Sequence, residues 1–177
     1  EKSWETLGSQ IGYLTLSELH LSSVTTGGSL QILLDSIGTC KEIEILSLCN
    51  INSGNTTPRF WCLANLKQLS KLYLRGIKQD VHSSCLLFKA ICECKQLQIL
   101  SLCNIDIEEV PDTLYYIREL RKLYKLIVYN VTINGGSGSL SEFLNAFTEC
   151  GNLETLYVNE QNASQIPSKL LAVTKWI

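Results

Sequence analysis

The sequence predicts an α/β solenoid: six short parallel strands side by side on a concave face, with mostly helical crossovers on the convex face. Three observations predict it. A block of three apolar residues spaced 0, 3 and 5 occurs six times, as Leu16/Leu19/Leu21, Ile43/Leu46/Leu48, Leu69/Leu72/Leu74, Leu97/Leu100/Leu102, Leu123/Leu126/Val128 and Leu153/Leu156/Val158. The blocks start at 16, 43, 69, 97, 123 and 153, so they recur every 26 to 30 residues, a period that marks stacked repeats. In each block the last two apolar residues alternate with others, the pattern of a short strand with one face turned inward.

So short a strand needs a neighbour about 4.8 Å away on either side, and a parallel neighbour requires a crossover of a dozen or more residues. The repeat length supplies it. The crossovers read as helical at 29–40 (SLQILLDSIGTC), 83–94 (SSCLLFKAICEC) and 139–150 (SLSEFLNAFTEC), where Ser139 and Glu142 have capping-box spacing. Gly27-Gly28 and Gly135-Gly136-Ser137-Gly138 precede helix starts, where the chain must reverse. The second stretch is no phosphate cradle, because no Lys-Ser or Lys-Thr pair follows it. After the sixth block, SQIPSKLLAVTKWI reads as one more crossover helix. A single repeat domain over residues 1–177 is expected, as a piece of a larger protein.

Composition narrows the function classes. Hydrophobic residues make up 45% and charged residues 18% of 177, so the chain should fold around a core. The net charge of -2, with no block of like charge, argues against a nucleic-acid partner. No apolar run is long enough to span a membrane.

Eight cysteines invite a disulfide or zinc reading, but their register answers it. Cys40, Cys94 and Cys150 each lie three residues before a block, where Leu66 and Leu120 stand in other repeats. The slot is therefore an apolar core position. Cys49 and Cys103 lie in near-duplicate strands two repeats apart, about 9–10 Å from each other and beyond the reach of a disulfide. A zinc set of His82, Cys85, Cys92 and Cys94 lacks a C-x-x-C pair and takes one ligand from a core slot. Cysteines spread singly through core slots point to the cytoplasm. The extracellular alternative rests on three glycosylation sequons, at Asn55, Asn130 and Asn162.

The block Leu-x-x-Leu-x-Leu resembles the leucine-rich repeat superfamily over residues 14–160. The long helical steps are similar to the intracellular ribonuclease-inhibitor type and to repeat domains of intracellular immune receptors that carry a nucleotide-switch module. The segment IDIEEVPDTLYYIRELRKLYKL resembles plant immune-receptor repeats with their Leu-Pro turn. One departure stands out. Where most members carry Asn or Cys, this chain has Val24, Ile51, Ile77, Ile105 and Val131, and an Asn stands one place earlier at 50, 104 and 130. Those asparagines are expected to cap backbone groups at the strand ends.

Strand residues alternating with the buried ones face the concave side, where such a fold would carry its function. Lys71, Tyr73, Arg75, Lys125, Tyr129 and Tyr157 form the candidate binding set, since Tyr and Arg are favoured at binding centres. Glu18 is the one acid among the eighteen concave positions of the six strands, so a protein or peptide partner with acidic groups is expected, or another domain of the same chain. His20 is expected to be a surface histidine rather than a ligand or base, and no Ser-His-Asp, Cys-His or paired-carboxylate arrangement can be assembled. The expected domain is non-catalytic and needs no cofactor or metal. The resemblance implies the ligand-sensing or autoinhibitory repeats of an innate immune receptor; the alternative is the substrate-recognition repeats of a ubiquitin-ligase subunit.

Overall fold

The computed structural model describes residues 13–24, 30–51, 59–79, 81–107, 112–134 and 139–177, together with Thr6, Gln10 and Ile11. Expectations for the glycine stretches at 27–28 and 135–138, for Asn55 and for Pro111 lie outside the described residues. Seven parallel strands pair in chain order: β1 (Glu18–Ser22), β2 (Ile45–Cys49), β3 (Lys71–Gln79), β4 (Ile99–Ile107), β5 (Lys125–Ile133), β6 (Thr155–Val158) and β7 (Thr174–Trp176). The six blocks pair in the register their spacing implies, with Leu19, Leu46, Leu72, Leu100, Leu126 and Leu156 in one row.

The seventh strand corrects the count of six. Residues 164–177 do not form one crossover helix: 3-10 turns at Glu160–Gln165 and Ser168–Val173 lead into β7, which pairs Leu156 with Thr174 and Val158 with Trp176. The other crossovers alternate between α1 (Leu30–Ile37), α2 (Val81–Cys92) and α3 (Leu140–Ala146) and the 3-10 helices Phe60–Asn65 and Asp112–Glu119. Ser139 caps α3 by accepting a hydrogen bond at Oγ from the Glu142 N–H (3.2 Å).

Strands β2 to β6 are each started by a shared carbonyl. The Glu44 carbonyl accepts from Ser70 N–H (2.8 Å) and Lys71 N–H (3.0 Å), and the carbonyls of Ser17, Ser70, Gln98 and Tyr124 do the same for the repeat that follows each of them. Both lone pairs of one oxygen are used, which fixes where the next strand begins.

Strands β1 to β5 also turn a corner. Ser23, Asn50, Gly76, Asn104 and Asn130, all two residues after the third apolar position of their block, have φ between 50° and 63°. This left-handed conformation suits Gly and is tolerated by Asn. It slips the alternation by one residue, so Leu74 and Ile77 are both buried although three apart, as are Leu102 and Ile105. In β3, β4 and β5 pairing resumes beyond the corner at Ile77, Ile105 and Val131. Ile51, Ile77, Ile105 and Val131, one residue beyond the corner, thus fill the core.

The core lies between sheet and crossovers. Leu46, Leu72, Leu100, Leu126 and Leu156 are fully buried, and so are the rings of Phe60, Phe88, Phe143 and Phe147. Phe143 meets Phe88 at 5.5 Å, nearly edge-on, and Phe147 at 5.4 Å, which ties the helical layer of one repeat to another. The slot shared by Cys40, Leu66, Cys94, Leu120 and Cys150 is buried throughout. Its thiols do more than fill space: Cys94 Sγ donates to the Leu63 carbonyl (3.3 Å) and Cys150 Sγ to the Ile117 carbonyl (3.5 Å), each in the preceding repeat. All eight cysteines are free.

Candidate functional site

Three rows of side chains cross the concave face, fixed by strand register. The first runs Glu18, Ile45, Lys71, Ile99, Lys125, Thr155; the second His20, Ser47, Tyr73, Ser101, Ile127, Tyr157, Lys175; the third Ser22, Cys49, Arg75, Cys103, Tyr129. Lys71, Tyr73, Lys125 and Tyr157 are half-buried, whereas Arg75 and Tyr129 are exposed. The six candidate residues therefore come from β3, β5 and β6. Strand β4, between the first two, contributes a low floor: Ile99 and Ser101 are 9% and 6% exposed because long side chains stand on both neighbouring strands.

Lys175, on β7, was not among the sequence candidates. It sits beside Tyr157 in register, with Nζ 5.8 Å from the ring centroid, while Lys125 Nζ lies 4.9 Å from the same centroid. One tyrosine ring thus holds two ammonium groups, an arrangement worth roughly 0.5–1 kcal/mol per contact at exposed sites. With Lys175 these three rows carry Lys71, Arg75, Lys125 and Lys175 against Glu18 alone, and Glu18 lies 3.6 Å from His20 at the opposite edge of the sheet. Among the described residues none of the four cations is in an ion pair. The positive end of the face is therefore available to an anion.

The asparagines form a chain along the corner. Asn130 Nδ2 donates to Asn104 Oδ1 (3.1 Å), and Asn159 Nδ2 donates to Asn130 Oδ1 (2.6 Å). The expected backbone cap is made by Asn159, whose Oδ1 accepts from the Asn130 N–H (3.1 Å). Because the Asn130 amide nitrogen is engaged, its sequon lies within the ladder.

Two further surfaces escaped the sequence reading. On the convex side Trp61, Tyr115 and Tyr116 are exposed, and Arg118 Cζ stacks 3.8 Å over the Tyr115 ring. At the edge where strands begin, Gln98, Arg121, Lys122, Tyr124, Asn152 and Glu154 line an open groove of about 440 Å³. Among the described residues no cluster of three His, Cys, Asp or Glu side chains is placed to hold a metal, and no helix is long and apolar enough to cross a membrane.

Repeat length, parallel register and a helical outer layer define a leucine-rich-repeat solenoid as the class of fold. Among solved structures the chain is similar to internalin C2 from Listeria monocytogenes, with a TM-score of 0.57 and 20% identity over 94% of this chain and 74% of that one. A second Listeria monocytogenes internalin, InlF, aligns at a TM-score of 0.37 and 13% identity over 96% of this chain and 68% of that one. The first likeness supports the fold. No protein-family model matches the sequence, and no curated protein matches it.

Proposed function

We propose that this domain is a non-catalytic recognition module that binds a protein or peptide partner on its concave face, through Lys71, Tyr73, Arg75, Lys125, Tyr129 and Tyr157, joined by Lys175. The observation that carries this reading is the set of four cations without a carboxylate partner among the described residues, interleaved with tyrosines on one face of a chain whose net charge is -2. From β3 to β7 these side chains span about 19 Å at standard strand spacing, the width of one edge of a protein partner or of a peptide segment. An acidic partner gains favourable contacts and faster encounter there.

The biological setting we infer is the cytoplasm, in the ligand-sensing or autoinhibitory repeats of an innate immune receptor. Repeat steps of 26 to 30 residues and the 105–126 segment support it. Cross-linking tests both levels. A photo-reactive amino acid at position 73 or 129 should capture a discrete protein, and capture confined to positions 61 and 115 would contradict the concave site. A captured nucleotide-switch module of the same polypeptide, or a foreign protein, supports the receptor. A captured protein whose ubiquitination depends on this chain contradicts it and supports the ubiquitin-ligase alternative.

A further inference from the structure

Strands β2 and β4 carry the same six residues, Ile-Leu-Ser-Leu-Cys-Asn, at 45–50 and 99–104, and β3 lies between them. Register therefore places Cys49, Arg75 and Cys103 side by side in one row, with the cation in the middle. In both outer strands the serine two residues earlier shares the face, and its hydroxyl lies 3.4 Å from the thiol: Ser47 Oγ at Cys49 Sγ, and Ser101 Oγ at Cys103 Sγ. Both thiols are half-buried, as is that of Cys85.

The other cysteines differ. Cys40, Cys62, Cys92, Cys94 and Cys150 are buried, and burial pushes their thiols up, four of them to about 12. Such groups are poor nucleophiles. Cys85 is half-buried on the helical layer, away from the concave cations. Reactive cysteines occupy partly exposed, electropositive surroundings, and the Cys49/Arg75/Cys103 row sets two partly exposed thiols, each with a serine hydroxyl in reach, on either side of a cation.

We propose that Cys49 and Cys103 are twin modification sites for an anionic low-molecular-weight disulfide of the glutathione kind, with Arg75 as their shared positioning residue. The thiol proton leaves to solvent, and the Sγ thiolate attacks one sulfur of the disulfide. A new Sγ–S bond forms, the old S–S bond breaks, and the other half departs as a thiolate. The cysteine is oxidised and the departing half reduced, so no other oxidant is needed. An internal Cys49–Cys103 bridge cannot compete, because two strand intervals place the Cα atoms about 9.6 Å apart, beyond disulfide reach. Each cysteine keeps its own adduct. The carboxylates of two adducts would neutralise Arg75 and reverse the sign of the third row; this consequence rests on the concave recognition reading, whereas the modification does not.

The test is incubation of the folded, reduced chain with oxidised glutathione at neutral pH, followed by acid quench, intact mass and peptide mapping. Two glutathionyl adducts should appear first at Cys49 and Cys103. Arg75→Gln should slow both by about threefold, the worth of one unit charge at about 6 Å in water-like surroundings, and Arg75→Lys should restore most of the rate. Earlier labelling of Cys85 or of a buried cysteine, loss of two hydrogens without adducts, or rates unmoved by Arg75→Gln would overturn the proposal. Doubly modified protein that still binds the partner captured from position 73 would overturn the consequence for recognition and leave the modification sites standing.

Discussion

The side-chain amide of Asn159 does for Asn130 what a backbone carbonyl does in earlier repeats. Asn50 N–H donates to the Arg75 carbonyl (2.7 Å) and Ser23 N–H to the Cys49 carbonyl (2.9 Å), whereas Asn130 N–H donates to Asn159 Oδ1 (3.1 Å). Asn159 is 8% exposed and also donates from Nδ2 to Asn130 Oδ1. Replacing it by Ala leaves a backbone N–H and an amide oxygen without partners. Asn159→Ala should lower unfolding free energy by about 1–3 kcal/mol, read from urea denaturation. Asn159→Asp keeps the acceptor but turns a donor into a carboxylate against Asn130 Oδ1, so it should not restore stability.

Two separable effects disfavour alanine at Gly76. Its φ is +63°, and a Cβ there would press on Asn50 Oδ1, the end of a side chain. Gly76→Ala should cost about 1–3 kcal/mol from backbone strain, with a further loss from the clash. In an Asn50→Ala background the clash disappears and the strain remains, so the double variant should be more stable than the sum of the single effects predicts. Strict additivity would remove the clash from the account.

Leu72 and Tyr73 are neighbours in sequence and opposite in role. Leu72 is fully buried and Tyr73 stands on the concave face. Leu72→Ala should cost about 2–5 kcal/mol, while Tyr73→Ala should leave the denaturation midpoint nearly unchanged. Equal losses at the two positions would contradict the assignment of faces.

Stability should fall in alkali. The thiols of Cys62, Cys92, Cys94 and Cys150 are pushed up to about 12 by burial, while in the unfolded chain a cysteine titrates near ~8.5. Between those values the folded state holds protons the unfolded state has lost, so unfolding free energy decreases as pH rises. Their contribution is fully present below about pH 8. Urea midpoints measured across this range should decline, and Cys62→Ala should make the decline shallower; an unchanged slope in that variant would contradict the burial.

The strands and their register were legible because each needs two inward residues at a fixed spacing, and six blocks repeated that demand. Strand β7 was not legible. Thr174 pairs with Leu156 only eighteen residues later, outside the 26–30 step, and Thr174-Lys175-Trp176 carries no Leu pattern. Lys175, and the two-lysine arrangement on Tyr157, were missed with it. The corner left a weaker trace: Ser23, Asn50, Gly76, Asn104 and Asn130 are residue types that suit turns, yet strand alternation alone does not demand a left-handed residue. Of the candidate side chains, sequence period could assign the face but not the neighbours, since rows across the sheet depend on which strands touch.

The most direct test of the central claim is the affinity of the partner captured from position 73 for two sets of variants, one on each face. Arg75→Glu and Lys125→Glu on the concave face, and Tyr129→Ala beside them, should each weaken binding by about 1–3 kcal/mol, with denaturation midpoints unchanged for Arg75→Glu and Tyr129→Ala and slightly lowered for Lys125→Glu, which loses its contact with the Tyr157 ring. Trp61→Ala, Tyr115→Ala and Arg118→Glu on the convex side should leave binding as it is. Binding that survives the concave changes and is lost with the convex ones would contradict concave recognition and transfer the interface to the helical layer.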